Sequence, residues 1–284
     1  MNPTQKQGHK LLIGPAGCPR SSAEPSTLAG IQRVKELGLD CMEMEFVQGV
    51  RMGPATAAKV KETKEKTGIR LTVHAPYFIN LNAREPEKLK ASIKRILDSA
   101  RIGSLCGAES VVFHAGYYLG DDPDIVYKKI AHEMEGILKT LEQEKINIRV
   151  RPETTGKATQ FGSLDELLQL GKDMGIYPCI DLSHLHAREN GAWNSIPEFE
   201  EILSKVDQAL GRQALEEMHL HLSGIAYGPK GEKHHLIFEE ADLKYRDYLS
   251  VLKKNRCSGF LICESPSIEE DALLIQKTYR SLRA

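Results

Sequence analysis

Eight short apolar runs alternate with longer amphipathic segments from one end of this sequence to the other, and no other feature constrains the fold as much. The runs are LLIG (Leu11–Gly14), CMEMEFV (Cys41–Val47), IRLTVHA (Ile69–Ala75), SVVFHA (Ser110–Ala115), INIRV (Ile146–Val150), YPCIDL (Tyr177–Leu182), MHLHL (Met218–Leu222) and GFLICE (Gly259–Glu264). Their shortness, their β-branched and aromatic content and the turn residues beside them favour strands. Segments between them, such as PEKLKASIKRILDSARIGSLCG and DPDIVYKKIAHEMEGILKTLEQEK, carry helical periodicity. Ser163 and Glu166 have the spacing of a capping box, and Gly175 is a natural stop for the helix they open. Parallel strands need crossover helices, so eight strand–helix units predict an α/β chain closed as a single (β/α)8 TIM barrel, with an open doubly wound sheet as the alternative. No linker or low-complexity tract breaks the 284 residues, and residues 1–284 are expected to form this one domain. The irregular stretches HARENGAWNS and SGIAYGPKGEKHH follow the sixth and seventh strands, where barrels keep functional loops.

Charge and cysteine usage narrow the class. The formal net charge is −1, so there is no global basic field of the kind that binds nucleic acid non-specifically, and any such contact must be local. The six cysteines show no CxxC pair, which reads as a reducing compartment without a disulfide framework. The N-terminus carries no cleavable signal pattern, and no run approaches the ~18 apolar residues of a membrane span. A soluble, cytoplasmic protein is expected.

The ionisable residues fall where the chemistry of a barrel sits. His74 and His114 end the third and fourth strands, Glu153 follows the fifth, and Asp181 ends the sixth with His184 three residues on. His219 lies in the seventh strand, Glu232 and His234 in the loop after it, and Glu264 ends the eighth. In a parallel barrel these C-terminal ends converge on one face. Imidazoles and carboxylates gathered without matching Lys or Arg call for bound cations, and both are ligands for zinc, manganese and iron. A single strand histidine is more often a hydrogen-bonded core residue, and His221 is read that way, facing the other side of its strand. His186 and His235 are read as spare histidines and His132 as a surface residue; His9 sits in the N-terminal arm. Glu43 and Glu45 share a face by period two and are read as orienting groups or solvated strand-end charges.

At these residues the chain resembles the endonuclease IV family of abasic-site DNA repair enzymes, within the xylose-isomerase-like barrels, and looks closer to its archaeal or divergent members. HAPYFINLN, VVFHAG, PETTGK, DLSH, MHLHLSG, EKHH and LICESP are similar to the family's motifs, and the resemblance runs from IGPAG to CESP. It implies a trinuclear zinc site, with manganese or iron possible at some positions. His74, His114 and Glu153 would hold one ion; Glu153, Asp181, His219 and Glu264 the second; His184, Glu232 and His234 the third. By the same analogy Gln48, Arg51 and Tyr77 would bind DNA. The chain departs from the family pattern in Glu232 for an aspartate, in His221-Leu222 for Asn-Asp, and in GPAG for a Gly-x-His element.

The activity implied is metal-dependent hydrolysis of the phosphodiester 5′ to an abasic site in double-stranded DNA, leaving a 3′-hydroxyl and a 5′-deoxyribose phosphate. Glu153, Asp181 and Glu264 would carry the catalysis, 3′-blocked ends would be related substrates, and the protein would act as a monomer. One rival is a sugar isomerase or epimerase of the same superfamily, with one metal on Glu153, Asp181, His219 and Glu264. The other is a non-catalytic module that binds damaged DNA.

Overall fold

The alternation closes into a parallel barrel. The computed structural model describes residues 10–283; His9 and the rest of the N-terminal arm, on which the absence of a leader was read, lie outside them, as does Ala284. The barrel strands are β1 (Leu11–Pro15), β2 (Cys41–Glu45), β3 (Arg70–His74), β4 (Ser110–Phe113), β5 (Arg149–Pro152), β6 (Cys179–Asp181), β7 (Met218–Leu222) and β8 (Gly259–Cys263). Parallel ladders join them as β1–β8–β7–β6 and as β2–β3–β4–β5. Bridges from Ala16 to Glu43 and from Glu153 to Cys179 complete the ring. The open doubly wound alternative is thereby excluded. At the β1–β2 seam a Cβ on Gly14 would fall 1.7 Å from the Cys41 carbonyl oxygen, so the strands meet only because that residue has no side chain.

One strand is displaced from its expected place. INIRV predicts residues 146–150, whereas β5 spans Arg149–Pro152. Arg151 is the reason: it is buried inside the fold, at 2% exposure. The two terminal nitrogens of its guanidinium donate to the carbonyls of Tyr177, Pro178 and Glu217, which holds inside a group that apolar patterning places outside.

Helices cover the ring and obey local rules. Pro86–Cys106 buries Ile96, Ala100 and Cys106, and Pro123–Gln143 starts at Asp122, whose carboxylate accepts from the amides of Asp124 and Ile125. The capping box at Ser163 and Glu166 is formed as predicted, and its helix, Leu164–Met174, ends at Gly175. Two loop features did not read as structure in the sequence. An antiparallel ribbon, Gly224–Gly228 against Gly231–Leu236, rises after β7, and Gly116–Tyr117 pairs with Gln160–Phe161. The first residues of HARENGAWNS belong to a helix, Leu182–Arg188. All six cysteines are free thiols. Among the described residues no helix is long and apolar enough to cross a membrane.

Candidate metal centre

Glu153 stands one residue beyond β5 and forms the hub of the barrel mouth. Its buried carboxylate places Oε2 3.0 Å from His74 Nε2 and 2.9 Å from His114 Nε2. The other oxygen, Oε1, lies 2.9 Å from His221 Nδ1 and 3.5 Å from His184 Nδ1. Burial alone would raise this carboxyl, but the His114 and His221 charges and the imidazole hydrogen bonds outweigh it and hold Glu153 well below the usual carboxylate range. For His74 burial works toward the neutral ring, and the hydrogen bond to Glu153 with the charges of Glu45 and Glu153 overcomes it, pushing the ring up to about 10. The mouth is built to hold positive charge.

Asp181 ends β6 and caps the helix that follows. Its Oδ1 accepts from the His184 amide at 2.8 Å, while its buried Oδ2 makes no hydrogen bond. Burial, with Glu264 and Glu153 adding and His184 opposing, pushes Asp181 up to about 6. Glu264, just past β8, brings Oε1 to 3.2 Å from His221 Nδ1. Donor atoms of Glu153, Asp181, His184 and Glu264 lie within 4.8 Å of one another, as do those of His74, His114 and Glu153.

The ring orientations fit divalent cations. Nδ1 of His74 lies 2.8 Å from the Ala75 carbonyl oxygen, that of His184 3.0 Å from Thr154, and that of His235 3.0 Å from Glu264. A carbonyl only accepts, so each Nδ1 carries a proton, and Nε2 is the nitrogen left to bind a metal once any proton on it is displaced. Together with the orphaned Asp181 oxygen, this nitrogen–carboxylate donor set is one that could hold divalent metal ions.

Two histidines expected in the centre are not there, and their neighbours are. On β7, His219 and His221 both point inward, as period two requires, so the expectation that His221 faces away is corrected. They differ in depth. His221 is level with Asp181, and His219 is level with Cys179, two residues further in. His219 contacts Ser110 Oγ at 3.0 Å and Glu43 Oε2 at 3.1 Å, and burial lowers its pKa to about 4 despite Glu43. In the ribbon, Glu232 pairs with Tyr227 and His234 with Ala226, which leaves Lys233 as an extra, bulged residue. The bulge reverses the alternation: His234 is exposed, and His235 turns inward. Donor atoms of His184, Glu232 and His235 then lie within 4.8 Å of one another. Glu232 fits there because Gly156 lacks a side chain, since a Cβ on that residue would sit 2.7 Å from Glu232 Cβ.

The residues expected to meet DNA lie around the same mouth. Arg51 donates to Gln48 Oε1 at 3.2 Å, in the loop that borders Glu45. Tyr77 is 57% exposed with its ring 6.2 Å from that of His74, and Phe78 beside it is 69% exposed. Glu43 lies inside the barrel, while Glu45 is half-buried at the end of β2 with one carboxylate oxygen sealed from solvent, and burial, aided by Glu43 and Glu264 and opposed by His74, pushes Glu45 up to about 8. Their shared face was the legible signal. His186 contacts Asp242 at 3.1 Å away from the centre, and His132 is exposed, as expected.

Residues 31–284 match the family described as xylose isomerase-like TIM barrel. A protein of Methanocaldococcus jannaschii described as uncharacterized is 45% identical over 272 residues, spanning 96% of this chain and 98% of that one. A probable endonuclease 4 of a Geobacillus strain is 26% identical over 184 residues, 62% of this chain and 59% of its own. Among solved structures, endonuclease IV of Thermus thermophilus superposes with a TM-score of 0.74 at 20% identity, covering 94% of this chain and 98% of that one. A D-tagatose 3-epimerase-like protein superposes at 0.72 and 17% identity, covering 95% and 96%.

Proposed function

This chain belongs to the xylose isomerase-like TIM barrel family, and we propose that within it the protein is a metal-dependent DNA repair endonuclease. Its reaction is hydrolysis of the phosphodiester 5′ to an abasic site in double-stranded DNA, giving a 3′-hydroxyl and a 5′-deoxyribose phosphate. The observation that carries this reading is the surplus of donors around Glu153. A one-metal isomerase site uses Glu153, Asp181, Glu264 and one β7 histidine, which leaves His74, His114, His184, Glu232 and His235 without a task. Here, with Glu153 shared, they complete two further three-donor groups, His74–His114–Glu153 and His184–Glu232–His235.

We assign His74, His114 and Glu153 to one ion, Glu153, Asp181, His221 and Glu264 to a second, and His184, Glu232 and His235 to a third. Bound divalent ions supply Lewis acidity for the phosphate and acidify water at neutral pH. The chain's own part is positional. Glu153, fixed between four imidazoles, holds its two oxygens toward different donor groups, and Asp181 is anchored by the helix it caps. The exposed ring of Tyr77 fills the space of the missing base, which costs less to open than a paired one. Arg51, steadied by Gln48, lies on one side of the mouth, and exposed Lys230 and Lys233 on the ribbon meet backbone phosphates on the other.

The test is a duplex carrying one tetrahydrofuran abasic analogue, incubated with protein and zinc or manganese. Incision 5′ to the analogue, leaving an end that a polymerase extends, is the expected result; no incision with either metal refutes the reading. Metal analysis separates the rivals, since about three ions per chain fit the nuclease and one fits the isomerase.

A further inference from the structure

We propose that Glu43 is a positioning residue that fixes the His221 ring so that Nδ1 faces the metal centre. The inference rests on the metal-centre part of the function proposed above. His221 is oriented differently from three other histidines at the mouth. His74, His184 and His235 each commit Nδ1 to a backbone carbonyl. His221 instead turns Nδ1 toward the centre, 2.9 Å from Glu153 Oε1 and 3.2 Å from Glu264 Oε1. Its Nε2 points down the barrel, where Glu43 Oε1 lies 2.9 Å away. Neither Nε2 nor Oε1 makes an aligned hydrogen bond, with each other or elsewhere, so the 2.9 Å contact is an ion pair between two buried atoms. The carboxylate stands on the far side of this ring, where a peptide carbonyl stands for the other three, and holds it by charge.

Glu43 is itself braced. Thr72 Oγ1 donates to its Oε2 at 2.7 Å, and His219 Nε2 lies 3.1 Å from the same oxygen, with Ser110 Oγ 3.0 Å from His219 Nδ1. Thr72, Glu43, His219, Ser110 and His221 are all at most 1% exposed. Water cannot hold this carboxylate in place; its neighbours must, and they leave Oε1 aimed at His221. A buried carboxylate is costly unless paired, and the pairing here reaches a fully buried ring that has no carbonyl anchor. Groups of this kind set the tautomer and basicity of a ligand histidine without touching the metal.

The experiment titrates zinc into wild type, Glu43→Gln and Thr72→Val against a chromophoric chelator, with circular dichroism to confirm folding and cobalt absorption to report coordination. For Glu43→Gln we expect one ion per chain to bind about 10–100-fold more weakly with an altered cobalt spectrum, and the remaining ions to bind as in wild type. Thr72→Val keeps the charge and removes only the 2.7 Å brace, so it weakens the same ion by less than about tenfold. Should Glu43→Gln fail to fold, Thr72→Val decides. Folded variants that bind every ion as wild type does overturn the inference and leave the metal centre standing. A wild-type protein that takes up no zinc removes the metal centre itself.

Discussion

The two open ends of the barrel are both rich in charged side chains and treat them in opposite ways. At the N-terminal end Arg70 pairs with Glu109, Arg149 with Glu217 at 2.9 Å, and Lys10 with Asp40, around a hollow of about 930 Å³. At the C-terminal end Glu43, Glu153, Asp181, Glu232 and Glu264 make their ion pairs with histidines. The first arrangement is complete as it stands, because each of these three cations meets a fixed anion. The second is complete only when protons or divalent ions are added, because an imidazole is charged only by choice of pH. Stability should therefore be spread thinly over one end, and chemistry concentrated at the other.

The sharpest way to break this contrast is at Glu153. Glu153→Gln keeps the shape and removes the charge that four imidazoles share, and we expect single-turnover incision to fall on the order of 10³-fold. Incision within tenfold of wild type refutes the hub role. Next in size is a comparison of adjacent histidines: His235→Ala should lose one ion per chain and cost about 10–100-fold in incision, while His234→Ala keeps full metal content. Equal metal loss in both, measured by elemental analysis of dialysed protein, sinks the ribbon register. Third, a chelator should lower the melting temperature. An ion held at a hundred times its dissociation constant stabilises by about 2.7 kcal/mol, and roughly 2–4 °C is lost per kcal/mol in a chain somewhat smaller than this. A calorimetric scan that does not move with chelator removes the cations from the stability of this end. The smallest effect belongs to the opposite end. Arg149→Ala breaks a partly exposed pair and should cost under about 1 kcal/mol in denaturant unfolding, with incision unchanged.

The sequence carried the barrel well and the centre in part. Strand ends are legible because short apolar runs stop at His74, at Val112-Phe113-His114 and at Asp181, and a parallel barrel converts those stops into one rim. Depth is not legible. His219 and His221 share a face, and only the pairing of β7 with β6, which sets His221 beside Asp181, decides which of them reaches the mouth. Register faults are not legible either, since the bulge at Lys233 exists only once Ala226 and Tyr227 have paired across the ribbon. Arg151 hid the end of β5 for a related reason: a charge held by three carbonyls inside a fold looks, in one dimension, like a surface residue.

The bulged ribbon has a consequence for how such a chain tolerates change. Side chains on a strand alternate, so a single insertion or deletion swaps which residues look inward. With two imidazoles side by side, a regular ladder through Lys233 would present His234 and the bulged one presents His235, so a nitrogen donor occupies the seat in either phase. The doublet makes the third donor group insensitive to slippage in the most length-variable kind of segment a barrel possesses, and loop remodelling there can proceed without first dismantling the chemistry beneath it.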